Sequence, residues 1–137
     1  MYVPSYRGVE NPFGNIWKWT DGLNQNSRDV YVCDDITKFA DDTATNYEYR
    51  GKCSTGGYIT DIIWDENGEF ILNGVGGSDS SYFYDYGWYA DGWRVLASGG
   101  SANNGSDDGL FCFGVHNGSF IAIPYFGGRL YYTPQNN

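Results

Sequence analysis

The segment 98–126 is built from a restricted set of side chains. It contains no Lys, Arg, Glu, Gln, Met or Trp, although these types supply roughly a seventh of the whole chain. Glycines and asparagines recur within it at 99–100, 103–105, 109 and 117. Because these residues favour turns and positive φ, they can fix a backbone while the side chains between them differ. The segment therefore indicates a scaffold that displays side chains rather than a catalytic constellation.

Two motifs in and around this segment specify a family resemblance. Gly-Gly-x-x-Asn-Asn-Gly-x-x-x-Gly-Leu-Phe begins at Gly99, and Gly-Gly-Arg-Leu follows at 127–130. Together they resemble the variable region of the target proteins of diversity-generating retroelements. Upstream, Gly-Asn-Ile-Trp-Lys-Trp at 14–19 resembles the Gly-Asn-Val-Trp-Glu-Trp motif of the same fold branch, which also contains formylglycine-generating enzymes. The resemblance covers most of the chain, from about Tyr6 to Leu130.

The resemblance implies a C-type-lectin-type fold and a place at a phage tail tip or a bacterial surface. In this family the diversified codons derive from asparagine codons by adenine mutagenesis, which cannot produce Lys, Glu, Gln, Met or Trp. The gap in 98–126 agrees with that chemistry. The implied function is non-catalytic binding of a protein or glycan ligand on a target cell, on a virion or extracellular surface. A homo-oligomer such as a trimer is expected in the parent assembly.

Length and local patterns predict one domain, 1–137, of the α+β class. The expected architecture is C-type-lectin-like, with short strands, one or two small helices and extensive loops. Apolar, β-branched and aromatic runs predict strands at 16–19, 30–33, 47–50, 59–64, 70–72, 93–96, 110–113 and 129–132. Asp-Gly at 21–22 predicts a turn that ends the first of these, and Asn-Gly at 67–68 predicts a hairpin. The best helix candidate is 34–40, with an Asp N-cap and Ile36, Phe39 and Ala40 on one face.

Charge and targeting patterns exclude some partners. The net charge of −9 argues against nucleic-acid binding and against an anionic membrane surface, since both need a basic patch. No apolar run is long enough to span a bilayer, so no membrane insertion is expected. No signal peptide is recognisable at the N-terminus. The chain is then either exported without a cleaved signal or the C-terminal domain of a longer protein; we favour the second, because relatives usually carry more sequence before the Gly-Asn-x-Trp motif.

Catalytic and metal chemistry are poorly supported by the sequence. The three cysteines have no Cys-x-x-Cys spacing, so a zinc or redox motif is not expected. Cys112 and His116, the only histidine, could form a nucleophile–base pair, but both fall at positions that the resemblance marks as diversified. A calcium loop at Asp65, Asn67 and Glu69 is weaker than the hairpin interpretation of the same residues. We therefore expect no enzyme activity, no metal and no cofactor.

The predicted ligand-binding residues lie between the fixed points of the segment. They are Ser101, Ala102, Ser106, Asp107, Asp108, Cys112, Phe113, Gly114, His116, Phe120, Ile121, Ile123, Pro124 and Tyr125. By resemblance they gather on one solvent-facing surface, although alternation along a strand would bury some of them, Ile121 and Ile123 especially. The aromatic run at 82–89 could stack on sugar rings or belong to the core. The alternatives are a fixed-specificity structural or carbohydrate-binding module of a phage virion and, less favoured, a relative of formylglycine-generating enzymes, which rely on active-site cysteines and a longer chain.

Overall fold

The computed structural model describes residues 5–6, 9–10, 14–64, 70–80 and 85–128, and these residues are nearly all β. About 47% of them lie in strands and 6% in helical turns. The predicted α+β class, with its C-type-lectin-like arrangement of strands and small helices, is therefore wrong. The described helical residues form only two single 3₁₀ turns, Ile36–Lys38 and Gly105–Asp107.

The predicted helix at 34–40 shortens to the single turn Ile36–Lys38, which has no buried residue. Asp35, not Asp34, is its N-cap, and the Asp35 side chain accepts a hydrogen bond from the Thr37 amide. Ile36, which was expected on the buried face, is 76% exposed. An isolated turn gains no tertiary contact that would offset the cost of nucleating a longer helix.

The strands fall into a hairpin and one larger sheet. They are β1 (Ser5–Tyr6), β2 (Val9–Glu10), β3 (Trp17–Asn26), β4 (Asp29–Val32), β5 (Glu48–Lys52), β6 (Gly57–Trp64), β7 (Phe70–Val75), β8 (Tyr86–Tyr89), β9 (Trp93–Ser98), β10 (Phe113–Val115) and β11 (Phe126–Gly127). β1 and β2 pair with each other. The nine others form a sheet in the order β5-β4-β3-β9-β10-β8-β6-β7, and β11 adds to β3. The β10–β8 and β11–β3 pairs are parallel and the remaining pairs are antiparallel.

Most strand predictions are confirmed, with shifts of a few residues. The patterns at 30–33, 47–50, 59–64 and 93–96 correspond to β4, β5, β6 and β9. β6 and β7 pair as the predicted hairpin, with Trp64 opposite Phe70. The Asn-Gly turn at 67–68 and the considered calcium ligands lie outside the described residues, as do 82–84 and the strand predicted at 129–132.

The first long strand does not end where the sequence predicts a turn. β3 runs on through Asp21 and Gly22, and its register with β9 shifts between Thr20 and Asn24. Gly22 has a φ of 89°, and its carbonyl accepts a hydrogen bond of 2.8 Å from the Cys33 amide. The Asp-Gly pair therefore marks an irregularity of the bulge type within a strand, which needs the same backbone freedom as a turn.

Two clusters of apolar side chains fill the interior. The larger contains Val30, Cys53, Ile59, Ile71, Leu72, Phe113 and Val115. The smaller contains Trp17, Ala97 and Cys112, with Trp19, Trp88 and Phe126 packed around them. Cys112 and Phe126 belong to the segment 98–126, so the smaller cluster joins that segment to the sheet.

We predict that Gly22→Ala destabilises the domain by about 2–4 kcal/mol, through its left-handed backbone and through steric overlap. A Cβ at Gly22 would stand 2.8 Å from the Cys33 carbonyl oxygen. Gly128→Ala is the matched control, since a Cβ there meets no described atom within 4 Å. Denaturant unfolding should place the control within about 0.5 kcal/mol of the parent. Equal stabilities for the two variants would contradict this account of the bulge.

Candidate ligand-binding surface

The motif at 14–19, called here the anchor motif, is hydrogen-bonded to the start of the variable-like segment, 98–126. The Gly14 amide donates to the Gly99 carbonyl at 2.7 Å, and the Ala102 amide donates to the Asn15 carbonyl at 3.1 Å. Asn15 also forms a parallel bridge with Ser101. These backbone contacts fix the point at which the segment leaves the sheet.

The same motif holds the other end of the segment. The Trp17 amide donates to the Tyr125 carbonyl at 2.7 Å, and Phe126 lies opposite Trp17 in the β11–β3 pair. The anchor motif therefore attaches both ends of the segment to the sheet. The two motifs that carry the family resemblance, although distant in sequence, are therefore in contact in the fold.

The Trp17 ring, 4% exposed, lies at the centre of an aromatic cluster. Its centroid is 5.3 Å from that of Trp88 in an edge contact and 6.0 Å from that of Phe126 in a stacked one. His116 approaches the same ring at 6.2 Å. A Cβ at Gly114 would stand 2.9 Å from His116 Nδ1 and 3.4 Å from the Trp17 ring, so the absence of a side chain there leaves room chiefly for His116.

A buried carboxylate supports the middle of the segment. Asp85 is 4% exposed, and its Oδ2 accepts a hydrogen bond of 2.9 Å from the Phe111 amide. Burial raises the pKa of Asp85, and the Phe111 amide opposes that rise. A Cβ at Gly109 would stand 1.6 Å from Asp85 Oδ1, so the carboxylate occupies the space that a side chain would need. Asp85 is not among the residues predicted from the sequence, although a lone acid within the aromatic run 82–89 is a signal for a buried carboxylate.

The Asp108 carboxylate occupies the space beside Gly100, as Asp85 does beside Gly109. A Cβ at Gly100 would stand 1.6 Å from Asp108 Oδ1. Burial raises the pKa of Asp108 to about 6, and the Ser101 amide acts in the opposite direction. The Asn104 side-chain oxygen also accepts hydrogen bonds of 2.9 Å from the Ser101 amide and hydroxyl. Gly100 and Asn104 thus each have a structural role at the start of the segment.

Asp107 is tied to the sheet through a tyrosine. The Tyr58 hydroxyl on β6 donates to Asp107 Oδ1 at 2.7 Å. That hydrogen bond, aided by burial, raises the pKa of Tyr58 to about 12. Asp107 and Asp108 therefore both have structural partners, and neither is a freely presented surface charge.

The structure divides the predicted ligand-binding residues into three groups. The exposed group is Ala102, Ser106, Phe120, Ile123, Pro124 and Tyr125. The half-buried group is Asp107, Asp108, His116 and Ile121. The buried group is Ser101, Cys112, Phe113 and Gly114. Phe120 is 83% exposed, an unusual position for a phenylalanine without a partner surface.

The position of β10 explains the burial of Phe113 and Gly114, whereas Cys112 packs in the smaller apolar cluster and Ser101 is buried where it bridges Asn15. The strand predicted at 110–113 begins only at Phe113, because Leu110 and Phe111 lie in the turn held by Asp85. β10 then runs between β8 and β9, and all its residues are buried. A strand covered on both faces has no side chain available for a ligand. Ser101, Cys112, Phe113 and Gly114 therefore do not contribute to the exposed surface.

Cys112 and His116 have different partners. The Cys112 thiol lies 3.9 Å from Asp108 Oδ1, and burial together with Asp108 raises its pKa. The His116 Nε2 is 2.9 Å from the Asn117 side-chain nitrogen, and burial lowers the His116 pKa. A thiol kept protonated in this way is a poor nucleophile.

A cleft of about 210 Å³ lies beside the loop 118–125. Its lining includes Trp19, Asp21, Asp41 and Ser119. Burial, followed by the charges of Asp21 and Asp42, raises the pKa of Asp41. In the described parts of the chain, no group of three or more His, Cys, Asp or Glu side chains could hold a metal ion. Those same parts contain no helix long and apolar enough to cross a bilayer.

Comparison with protein-family models, with curated proteins and with solved structures finds no match for this chain.

We predict that Asp108→Asn removes a pH dependence from the stability of the domain. The folded-state pKa of about 6 lies above the ordinary value of 3.8. The folded protein therefore binds the proton more tightly, and stability falls as pH rises through about 4–6. In urea unfolding, the free energy of unfolding of the variant should rise relative to that of the parent between pH 4 and pH 7.5. A constant difference between the two proteins across that range would contradict the raised pKa.

Proposed function

We propose that this chain is a non-catalytic ligand-binding domain whose segment 98–126 is diversified by a retroelement. Its ligand would be a protein or glycan on a target cell, met from a virion or extracellular surface, with the domain acting in a homo-oligomeric assembly. One observation carries the proposal. Phe120, Ile123 and Tyr125 are exposed on a loop close to the point at which the anchor motif holds the end of the segment.

The display loop, 118–125, has the chemistry of a contact surface. Exposed apolar side chains grouped on one loop typically mark an interaction site. Phe and Tyr supply contact area while losing little conformational entropy, as they do in antibody paratopes. The loop carries no charged residue, so its own contribution to binding would come from apolar contact and backbone hydrogen bonds.

The division between fixed and variable positions supports diversification. Gly100, Gly109 and Asn104 each meet a specific structural demand, whereas Phe120, Ile123 and Pro124 are exposed. A mutagenic process confined to exposed positions would change the ligand without unfolding the domain. A reverse-transcriptase gene beside the coding sequence, with a near-copy of the stretch encoding 98–126, would test the retroelement directly, and its absence would contradict it.

The buried group gives the alternative its strongest support. Ser101, Cys112, Phe113 and Gly114 behave as ordinary interior residues, as a fixed-specificity module would predict for the whole segment. The two proposals differ over the exposed group. Diversification requires those positions to accept many side chains, whereas a fixed-specificity module requires particular ones.

Two matched libraries distinguish these proposals. The first randomises Ala102, Ser106, Phe120, Ile123, Pro124 and Tyr125, and the second randomises Ser101, Cys112, Phe113 and Gly114. Both are displayed and selected for binding to immobilised streptavidin as an arbitrary protein target. We expect the first library to retain folded members and yield binders, and the second to lose folded protein. A first library that is mostly unfolded, or folded without binders, would count against the proposal.

Single substitutions should show the same division in stability. We predict that Phe120→Asn and Tyr125→Asn change the free energy of unfolding by less than about 0.5 kcal/mol, as exposed substitutions usually do. Trp17→Ala should cost about 3–5 kcal/mol because it leaves a cavity in the aromatic cluster. Thermal and denaturant melts of the three variants measure the difference. Comparable losses in all three would show that the display loop belongs to the core.

A further inference from the structure

Within the part of the chain that the structure describes, a side-chain hydrogen bond joins the display loop to a segment far away in sequence. The Ser119 hydroxyl donates a hydrogen bond of 2.7 Å to Asp42 Oδ2, across 77 positions of sequence. Ser119 adjoins Phe120, the most exposed large apolar side chain of the described residues. Neither Ser119 nor Asp42 is among the predicted ligand-binding residues, so the contact joins two positions outside that set.

The backbone on either side of Asp42 is hydrogen-bonded to a buried side chain of the sheet. The buried Asn24 side chain, 2% exposed on β3, donates hydrogen bonds of 2.7 Å to the Ala40 carbonyl and 2.9 Å to the Thr43 carbonyl. These two acceptors lie on either side of Asp42 in the chain. The Tyr47 hydroxyl donates to the Ala40 carbonyl as well, at 2.9 Å. The loop that carries the Asp42 carboxylate is therefore attached to the sheet by hydrogen bonds that do not involve Ser119.

The backbone of Asp42 also suits this role. Its φ is 54°, in the left-handed region that Asp, Asn and Gly enter more readily than other residues. This conformation restricts which residues can replace Asp42. Only an Asn would preserve both the conformation and a side-chain oxygen acceptor, whereas a Gly would preserve the conformation alone.

The remaining hydrogen bonds of the display loop are local or lie at its end. Among the described residues, the Ile121 amide donates to the Gly118 carbonyl at 3.2 Å, and the Phe126 amide donates to the Ile123 carbonyl at 3.1 Å. The end of the loop is fixed by the hydrogen bond that the Trp17 amide donates to the Tyr125 carbonyl. Among the described residues, the Ser119 contact is the hydrogen bond that joins the stretch carrying Phe120 to a distant part of the chain between the two ends of the loop.

We infer that Asp42 is a positioning residue of the ligand surface: through Ser119 it fixes the display loop in one conformation before a ligand binds. This inference rests on the proposed function. The segment 40–43 would then affect the affinity for the ligand although it lies outside the diversified segment. Fixing a loop in its bound conformation strengthens binding because less conformational entropy is lost on association.

Residue-resolved amide exchange by NMR tests the attachment without any ligand. Ser119→Ala removes the donor, and Asp42→Gly removes the acceptor while keeping the left-handed backbone. We expect each to speed exchange of the Ile121 and Phe126 amides about fivefold, the effect of losing a typical hydrogen bond. The double variant should exchange no faster than either single one, because both lose the same contact.

Asp42→Asn is the matched control, since it removes the charge but keeps an oxygen acceptor and tolerates the left-handed backbone. Its exchange should stay within about twofold of the parent. Unchanged exchange in Ser119→Ala, additive effects in the double variant, or an Asp42→Asn variant as fast as Asp42→Gly would each overturn the inference. Melting temperatures of all variants identify any case of general destabilisation, which would speed exchange across the whole sheet instead.

Binding is measured on clones selected against streptavidin from the exposed-position library. Asp42→Gly in such a clone should weaken streptavidin affinity severalfold, and Asp42→Asn should restore it. Affinity that is insensitive to Asp42→Gly would overturn the positioning role. If the library yields no binders, the proposed function fails, and the exchange measurements alone then decide whether Asp42 orders the loop.

Discussion

The hydrogen bond from the Trp17 amide to the Tyr125 carbonyl, together with the burial of the Trp17 ring, is the constraint on which the surface depends. The backbone contact fixes where the variable-like segment returns to the sheet. The ring fills the space beneath that segment, against Trp88 and Phe126. One residue therefore sets both the position of the segment and the packing under it. The Gly14 amide, which donates to the Gly99 carbonyl, holds the other end of the segment.

Two carboxylates, the buried Asp85 and the half-buried Asp108, explain two of the glycines in the segment 98–126. Asp85 and Asp108 occupy the space beside Gly109 and Gly100, where any side chain would overlap their oxygens. Placing carboxylates in a protein interior is costly unless hydrogen bonds compensate. The Phe111 and Ser101 amides supply that compensation. The glycines, the amide donors and the acids thus form interdependent units, and changing one member leaves another without space or without a partner.

Sequence patterns predict local structure well here and tertiary relations poorly. Alternation and β-branching located β4, β5, β6 and β9, because a strand that packs against a core keeps its own periodicity. The helix at 34–40 was predicted wrongly, because local capping cannot replace packing that is missing. The predicted surface included Cys112 and Phe113. Phe113 is buried because β8 and β9 lie on either side of β10, and Cys112 because it packs with Trp17 and Ala97; no local pattern shows either of these long-range relations. Asn24 and Asp42 were missed for the same reason, since their partners are distant in sequence.

The proposed diversification would place two demands on a small domain, stability and affinity, and different residues would meet them. Stability comes from side chains that face inward, such as Ile59 and Leu72, and from backbone contacts that do not depend on the identity of the exposed residues. Affinity needs an ordered loop, and order imposed by the varying side chains themselves would be lost whenever they changed. An attachment through Ser119 to a loop fastened by Asn24 would supply order from residues outside the exposed group. The loop could then change its chemistry while keeping its shape.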